Sequence, residues 1–188
     1  KIAMQYGAVI PFLRPKELSD DFTGTGAVVE HTMNYLKQQG ENYDFICTIY
    51  ATAPFLDKKY LIEGFEKLKN SNAKNAFSCT SMPFPIQRTF KITQNERCEM
   101  FWSENFTKRS QDLEEAFQDA GQFYWTNLNI KSNEIIFGKD SIPIVLPRHL
   151  VQDIDTLEDW IRAEFMYEAL IKSKNQNRAT ISKVNFFK

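Results

Sequence analysis

Histidine, cysteine and charge of a single sign are all scarce in this chain, and each shortage removes a class of chemistry. Only two histidines occur, His31 and His149, and neither has a neighbour to complete a metal cluster or a catalytic triad, so each reads as structural. The three cysteines, Cys47, Cys79 and Cys98, form no CxxC pair and no zinc spacing; they read as buried thiols in a reducing compartment. A formal net charge of -1 gives no electrostatic footprint for nucleic acid or for an anionic membrane surface. No apolar run approaches the ~18 residues of a membrane-spanning helix, and "KIAMQYGAVI" lacks the layout of a signal peptide. The expected address is cytoplasmic.

What is present is an ordinary globular composition, 43% hydrophobic and 25% charged. A length of 188 residues suits one domain, 1–188, with a sizeable core. "KIAMQYG" reads as the last turns of a helix stopped by Gly7, and "AVIPF" as a short strand. "TGAVVEHTMNYLKQQG" spaces Val28, Val29, Met33 and Leu36 along a helix that Gly40 closes. "YDFICTIYA" is a short apolar run that fits a strand buried on both faces. Asp57 caps a helix through Leu61, Ile62, Phe65 and Leu68, and "NAFSCT", "GQFYW" and "SIPIVLP" read as further strands. Alternating strands and helices predict an α/β fold with a mostly parallel sheet.

Two stretches break this rhythm. From Met82 there is no helical period, and half-alternating runs around Thr89–Ile92 and Cys98–Trp102 predict a hairpin excursion within 82–119. A final helix is expected from about Thr156 to Lys172, followed by a polar tail that ends in Phe186 and Phe187. An α/β domain normally opens on a strand whose following loop holds ligand phosphates, whereas this chain opens on a helix tail. The expectation is that a first βα unit, roughly thirty residues or more for a full βαβ, is absent from the front.

The stretch "VQDIDTLEDW" concentrates four acids in ten residues. Asp153 and Asp155, at i and i+2, point to one side of an extended segment and can share a hard cation such as Mg²⁺. Alternatively Asp155 is the N-cap of the final helix, with Glu158 at N3 as a capping box and Asp159 in the first turns. Spacing leaves both readings open.

"DIDTLED" after the last strand, "FLRPKELSDD" after an early run and "ATAPFL" after a central strand together resemble the CMP-sialic acid synthetase family. These cytidylyltransferases activate nine-carbon acidic sugars. "RSQDLEEAFQDAGQFYW" looks most like the branch acting on pseudaminic acid. The resemblance spans Ala3 to Ile171 and implies a Rossmann-like sheet of the nucleotidyltransferase type, a Mg²⁺ cofactor, and CTP and a nonulosonic acid as substrates. It also implies a homodimer formed through the excursion. Carried over by motif, Asp153 and Asp155 become metal ligands at the reacting phosphate, while Arg14, Asp21 and Thr25 lie at the nucleotide. Asp20 or Asp21 can equally cap the helix that follows.

Tyr50 stands where the family has Gln, Leu56 where it has Arg, and Gln118 where that branch often has His. The acceptor is therefore expected to differ from neuraminic acid. Gln122 and Tyr124 are candidate sugar contacts, while Phe123 and Trp125 read as core. The family's triphosphate motif would lie upstream of Lys1, so this chain alone is expected to lack activity. Rival readings are a metal-dependent glycosyltransferase, whose Asp-x-Asp normally follows a central strand, and an inactive fragment that only folds or dimerises.

Overall fold

Backbone pairing follows the apolar runs. The computed structural model describes residues 1–184, with side chains as far as Ser173. Six strands are present among these residues: Phe45–Ile49 (β1), Asn75–Ser81 (β2), Phe90–Ile92 (β3), Cys98–Met100 (β4), Phe117–Asn127 (β5) and Ser141–Val145 (β6). Helices are Ile2–Gln5 (α1), Thr25–Gln38 (α2), Lys58–Lys69 (α3) and Leu157–Val184 (α4). The chain divides into two compact units, Lys1–Asp44 and Phe45–Lys188.

In the second unit four strands form one sheet in the order β1-β5-β2-β6. β6 lies parallel to β2, while β5 runs antiparallel to both β1 and β2. Three strands therefore share a direction, and β5 is inserted against them. α3 makes the crossover from β1 to β2, as a βαβ connection requires. Its start is fixed by Asp57, whose carboxylate accepts from the Lys59 amide at 2.9 Å.

The core lies between α3 and the sheet. Leu68, Ala76, Phe123 and Ile144 are all fully buried. Helix and sheet approach so closely that a Cβ on Gly64 would stand 3.1 Å from the Trp125 ring and 3.2 Å from Phe123. Trp125 completes the contact by donating its indole N–H to the Leu61 carbonyl at 3.0 Å. Phe123 and Trp125 are thus core residues, as the sequence suggests. β1 is an edge strand and only half-buried, not covered on both faces. Of the cysteines, Cys79 is buried, Cys47 is partly buried and Cys98 is exposed on β4. Burial pushes the Cys47 thiol up to about 12, so it stays protonated.

β3 and β4 form the expected separate hairpin, pairing Phe90 with Met100 and Ile92 with Cys98. α4 continues past Lys172 to Val184 because no glycine or proline interrupts the sequence there. Phe186 and Phe187 lie outside the described residues.

In the first unit, Gly7 and Gly40 take left-handed φ values of 87° and 82° and end their helices as expected. "AVIPF" does not form a strand. Its end is held instead by α2: Phe12 meets the His31 ring at 5.0 Å and Tyr35 at 4.8 Å, and the Tyr35 hydroxyl donates to the Pro11 carbonyl. Without a partner strand, an apolar pentapeptide containing proline has no ladder to join.

The sheet contains one large irregularity. Phe77 pairs with Tyr124, but Cys79 pairs with Asp119, so a single residue of β2 faces four residues of β5. Gly121 turns the bulge with φ 62°. The Ser78 hydroxyl accepts from the amides of Gln122 at 3.2 Å and Phe123 at 3.1 Å, replacing ladder bonds that the bulge removes. Ser78 is fully buried, so Ser78→Ala would leave two amides unsatisfied. We expect that substitution to lower stability by about 2–4 kcal/mol in urea unfolding with an unchanged m-value.

Candidate active site

The bulge sets the site, because it brings together side chains that a regular strand would separate. Asp119 and Tyr124 are five residues apart and would face opposite sides of an unbroken strand. Here the Tyr124 hydroxyl donates to Asp119 Oδ2 at 2.5 Å, and the Gly121 amide donates to Asp119 Oδ1 at 3.0 Å. Tyr50, just beyond β1, packs its ring 5.2 Å from that of Tyr124 at a tilt of 50°. The Tyr50 amide donates to the Gln122 carbonyl at 3.0 Å, which fixes the backbone from which this ring projects. Burial and then the Asp119 hydrogen bond push the Tyr124 phenol well above its ordinary pKa.

Asp153 reaches the same bulge from the other side. A Cβ on Gly121 would lie 3.2 Å from Asp153 Oδ2, so glycine is needed here for space as well as for φ. Asp153 Oδ1 accepts from the Ile154 amide at 3.1 Å and from the Thr52 hydroxyl at 3.3 Å. Gln152 is buried and Ile154 half-buried, while Asp153 and Asp155 are exposed, which is the alternation that the i, i+2 spacing predicts. A cavity of about 460 Å³ adjoins Asp119 and is otherwise mostly apolar, walled by Phe77, Phe117, Phe137, Pro143 and Val145.

The helix cap falls one residue later than the sequence suggests. Thr156, not Asp155, is the N-cap of α4, and Asp159, not Glu158, is its N3 partner. The Thr156 amide donates to Asp159 Oδ2 at 2.9 Å, and the Asp159 amide donates back to Thr156 Oγ1 at 3.3 Å. Gln152 Nε2 braces Asp159 Oδ1 at 3.1 Å from below. Hydrogen bonds from the Thr156 hydroxyl, then from its amide, hold the Asp159 carboxyl below its usual pKa. Asp155 contributes only its amide to this network, and its carboxylate accepts no hydrogen bond among the described residues.

The other sequence candidates fall in three places. Arg14, Asp21 and Thr25 belong to the first unit and are exposed, with Thr25 the first residue of α2. Asp20 caps no helix but closes a turn, accepting from Phe22 and Thr23 amides at 3.0 and 2.7 Å; Gly24 is the N-cap of α2, without a side-chain cap. Gln122 is corrected from a ligand-facing residue to an interior one: it is 1% exposed and its Nε2 donates to the Leu150 carbonyl at 2.5 Å. Leu56 packs on the core. Asp119, Thr52 and Thr156 are not reached from the sequence, nor is the pairing of Asp159 with Thr156. The available signals were a glycine inside a strand at "DAGQF" and the Thr-x-x-Asp pattern at "TLED".

No family model matches the chain. It is 41% identical over 169 residues to the pseudaminic acid cytidylyltransferase of Campylobacter jejuni subsp. jejuni serotype O:2, covering 89% of this chain and 73% of that protein. The pseudaminic acid cytidylyltransferase of serotype O:23/36 is 40% identical over the same length and the same shares. A two-function protein of Helicobacter pylori, named pseudaminic acid cytidylyltransferase and UDP-2,4-diacetamido-2,4,6-trideoxy-beta-L-altropyranose hydrolase, is 34% identical over 155 residues. That match covers 81% of this chain and 29% of the longer protein.

The cap geometry separates stability from the outward acids. Thr156→Ala should cost about 1 kcal/mol in thermal or urea unfolding, whereas Asp155→Asn should leave stability unchanged. Asp159 has a depressed folded pKa, so its contribution is complete above about pH 4 and disappears as pH falls through the lowered value. Asp159→Asn should therefore flatten the acid limb of the stability profile and leave the neutral-to-alkaline limb parallel to that of the parental protein.

Proposed function

The chain belongs to the pseudaminic acid cytidylyltransferase family, and we propose that it transfers CMP from CTP to the anomeric hydroxyl of a nonulosonic acid, pseudaminic acid being favoured, with release of pyrophosphate. The similarity over 73% of two relatives of that name carries the reading. The glycosyltransferase alternative has no support among these relatives. Among the described residues no helix is long and apolar enough to cross a membrane.

The donor set fits a hard divalent cation, which we take to be Mg²⁺. Asp153 and Asp155 face outward together, and the cap network leaves the Asp155 carboxylate unengaged. Among the described residues no cluster of three or more metal-ligating side chains exists. Two carboxylates suit Mg²⁺, which keeps most of its water and takes further ligands from substrate phosphates, and they do not suit a closed zinc site. When bound there, Mg²⁺ would neutralise charge building up at the reacting phosphate.

The protein's own part is placement. Thr52 and the Ile154 amide hold Asp153 Oδ1, and Gly121 leaves room for Oδ2. Tyr50 and Tyr124 stand beside the same glycine, and we assign them to the sugar acid. Arg14, Asp21 and Thr25 are assigned to the nucleotide from their motif. In-line transfer of this kind needs no covalent nucleophile, only oriented groups in fixed positions.

The deciding assay is pyrophosphate release from CTP and Mg²⁺ with pseudaminic acid set against neuraminic acid. In a protein that also carries the family's triphosphate motif we expect turnover with the former, and Asp153→Ala or Asp155→Asn should lower it by at least ~100-fold at unchanged unfolding midpoint. A stable, fully active Asp155→Asn protein would remove the metal assignment.

The hairpin carries a second expectation, a homodimer. Phe84, Ile92 and Phe106 are 79%, 74% and 72% exposed, a concentration of large apolar side chains that commonly marks an interface. A closed two-fold pair is the commonest way to cover one. Sedimentation should give a dimer at micromolar concentration, and Ile92→Asp should give a monomer.

A further inference from the structure

Three buried polar side chains tie down one loop, the stretch between β6 and α4 that carries Asp153 and Asp155. The Thr80 hydroxyl donates to the Leu146 carbonyl at 2.8 Å, Gln122 Nε2 to the Leu150 carbonyl at 2.5 Å, and Gln152 Nε2 to the Asp153 carbonyl at 2.7 Å. Thr80 extends the pairing of β2 with β6, since the Leu146 amide also donates to the Cys79 carbonyl at 2.8 Å. Gln152 acts within the loop itself. Of the three, only Gln122 fastens the loop to the bulged strand β5. Its backbone is fixed at both polar groups: the amide donates to Ser78 Oγ at 3.2 Å, and the carbonyl accepts from the Tyr50 amide at 3.0 Å. The side chain therefore reaches Leu150 from an anchored point.

Stability gives little reason for an amide at this position. A carbonyl can only accept, so the nitrogen of Gln122 faces Leu150 and its oxygen is left over. That Oε1 is buried and has no hydrogen-bond partner among the described residues. A methionine here would exchange this unpaired acceptor for another, the Leu150 carbonyl, and the folded state would gain or lose little. We infer that Gln122 is a positioning residue: through the Leu150 carbonyl it sets the level of the Arg148–Leu150 turn, and through that turn the place of Asp153 and Asp155. This deepens, and rests on, the assignment of the two aspartates to Mg²⁺. The lever is short. The Val151 amide donates back to the Arg148 carbonyl at 3.1 Å, which closes the turn, and Asp153 follows at once to pack against Gly121. Mg²⁺ demands near-octahedral oxygens at about 2.0–2.1 Å, so a small displacement of either carboxylate lowers affinity.

Gln122→Met is the test, with Gln122→Leu as a second variant that also lacks both amide atoms. Urea unfolding should give midpoints close to the parental one. In amide hydrogen exchange of the metal-free protein, the Val151, Ile154 and Thr156 amides should exchange about fivefold faster, while those of α3 and β2 stay unchanged. In Mn²⁺ titrations read by electron paramagnetic resonance, Kd should rise about tenfold, the size expected when the support of a metal ligand is removed. Asp153→Ala identifies the binding step by abolishing it. Unchanged loop exchange, or an unchanged Kd in a folded variant, would overturn the inference. A lowered midpoint with faster exchange throughout the core would also sink it, since Gln122 would then serve stability alone. If the parental protein binds no Mn²⁺ through Asp153, the metal assignment fails, and hydrogen exchange still decides whether Gln122 holds the loop.

Discussion

The site depends on one buried hydroxyl. Where β5 departs from β2, two amides lose their ladder partners inside a closed core, and an unpaired amide there is costly. Ser78 supplies the missing acceptor to both Gln122 and Phe123. That exchange lets β5 carry a glycine with left-handed φ in the middle of a strand without opening the sheet. The bulge then places Asp119 beside Tyr124 and leaves open space at Gly121 for Asp153. Strand irregularities of this kind recur next to active sites because they re-aim side chains that a regular pleat would point apart.

The acids of the Val151–Trp160 stretch divide their work by one residue of register. With Thr156 and Asp159 closing the cap and Gln152 bracing it from the interior, the helix start is satisfied within itself. Asp153 and Asp155 are then released from structural duty and share the outer side of the segment. Capping and cation binding, which compete for the same carboxylate on spacing alone, thus cease to compete. Asp153 retains one structural tie, to Thr52 in the turn after β1, and this links the two loops that border the bulge.

Substitutions relative to the sialic acid synthetases also gain a physical context. Leu56, in place of arginine, packs against the core instead of facing a ligand. Tyr50, in place of glutamine, packs its ring on that of Tyr124, whose hydroxyl donates to Asp119.

Much of the architecture was legible in residue order. The α/β class, β1, β2 and β6, the Asp57 cap and the glycine stops at Gly7 and Gly40 all follow from local periodicity and turn chemistry, which act over a few residues. The i, i+2 exposure of Asp153 and Asp155 is likewise local. The direction of β5, the edge position of β1 and the failure of "AVIPF" to form a strand depend on which partner each segment finds, and no short window contains that information. The same holds for Gln122, whose burial depends on what covers β5 and not on its own residue type. Asp119, Ser78 and Thr52 acquire their roles through hydrogen bonds to residues 5, 44 and 101 positions away, and only the folded chain brings those groups within 3.5 Å.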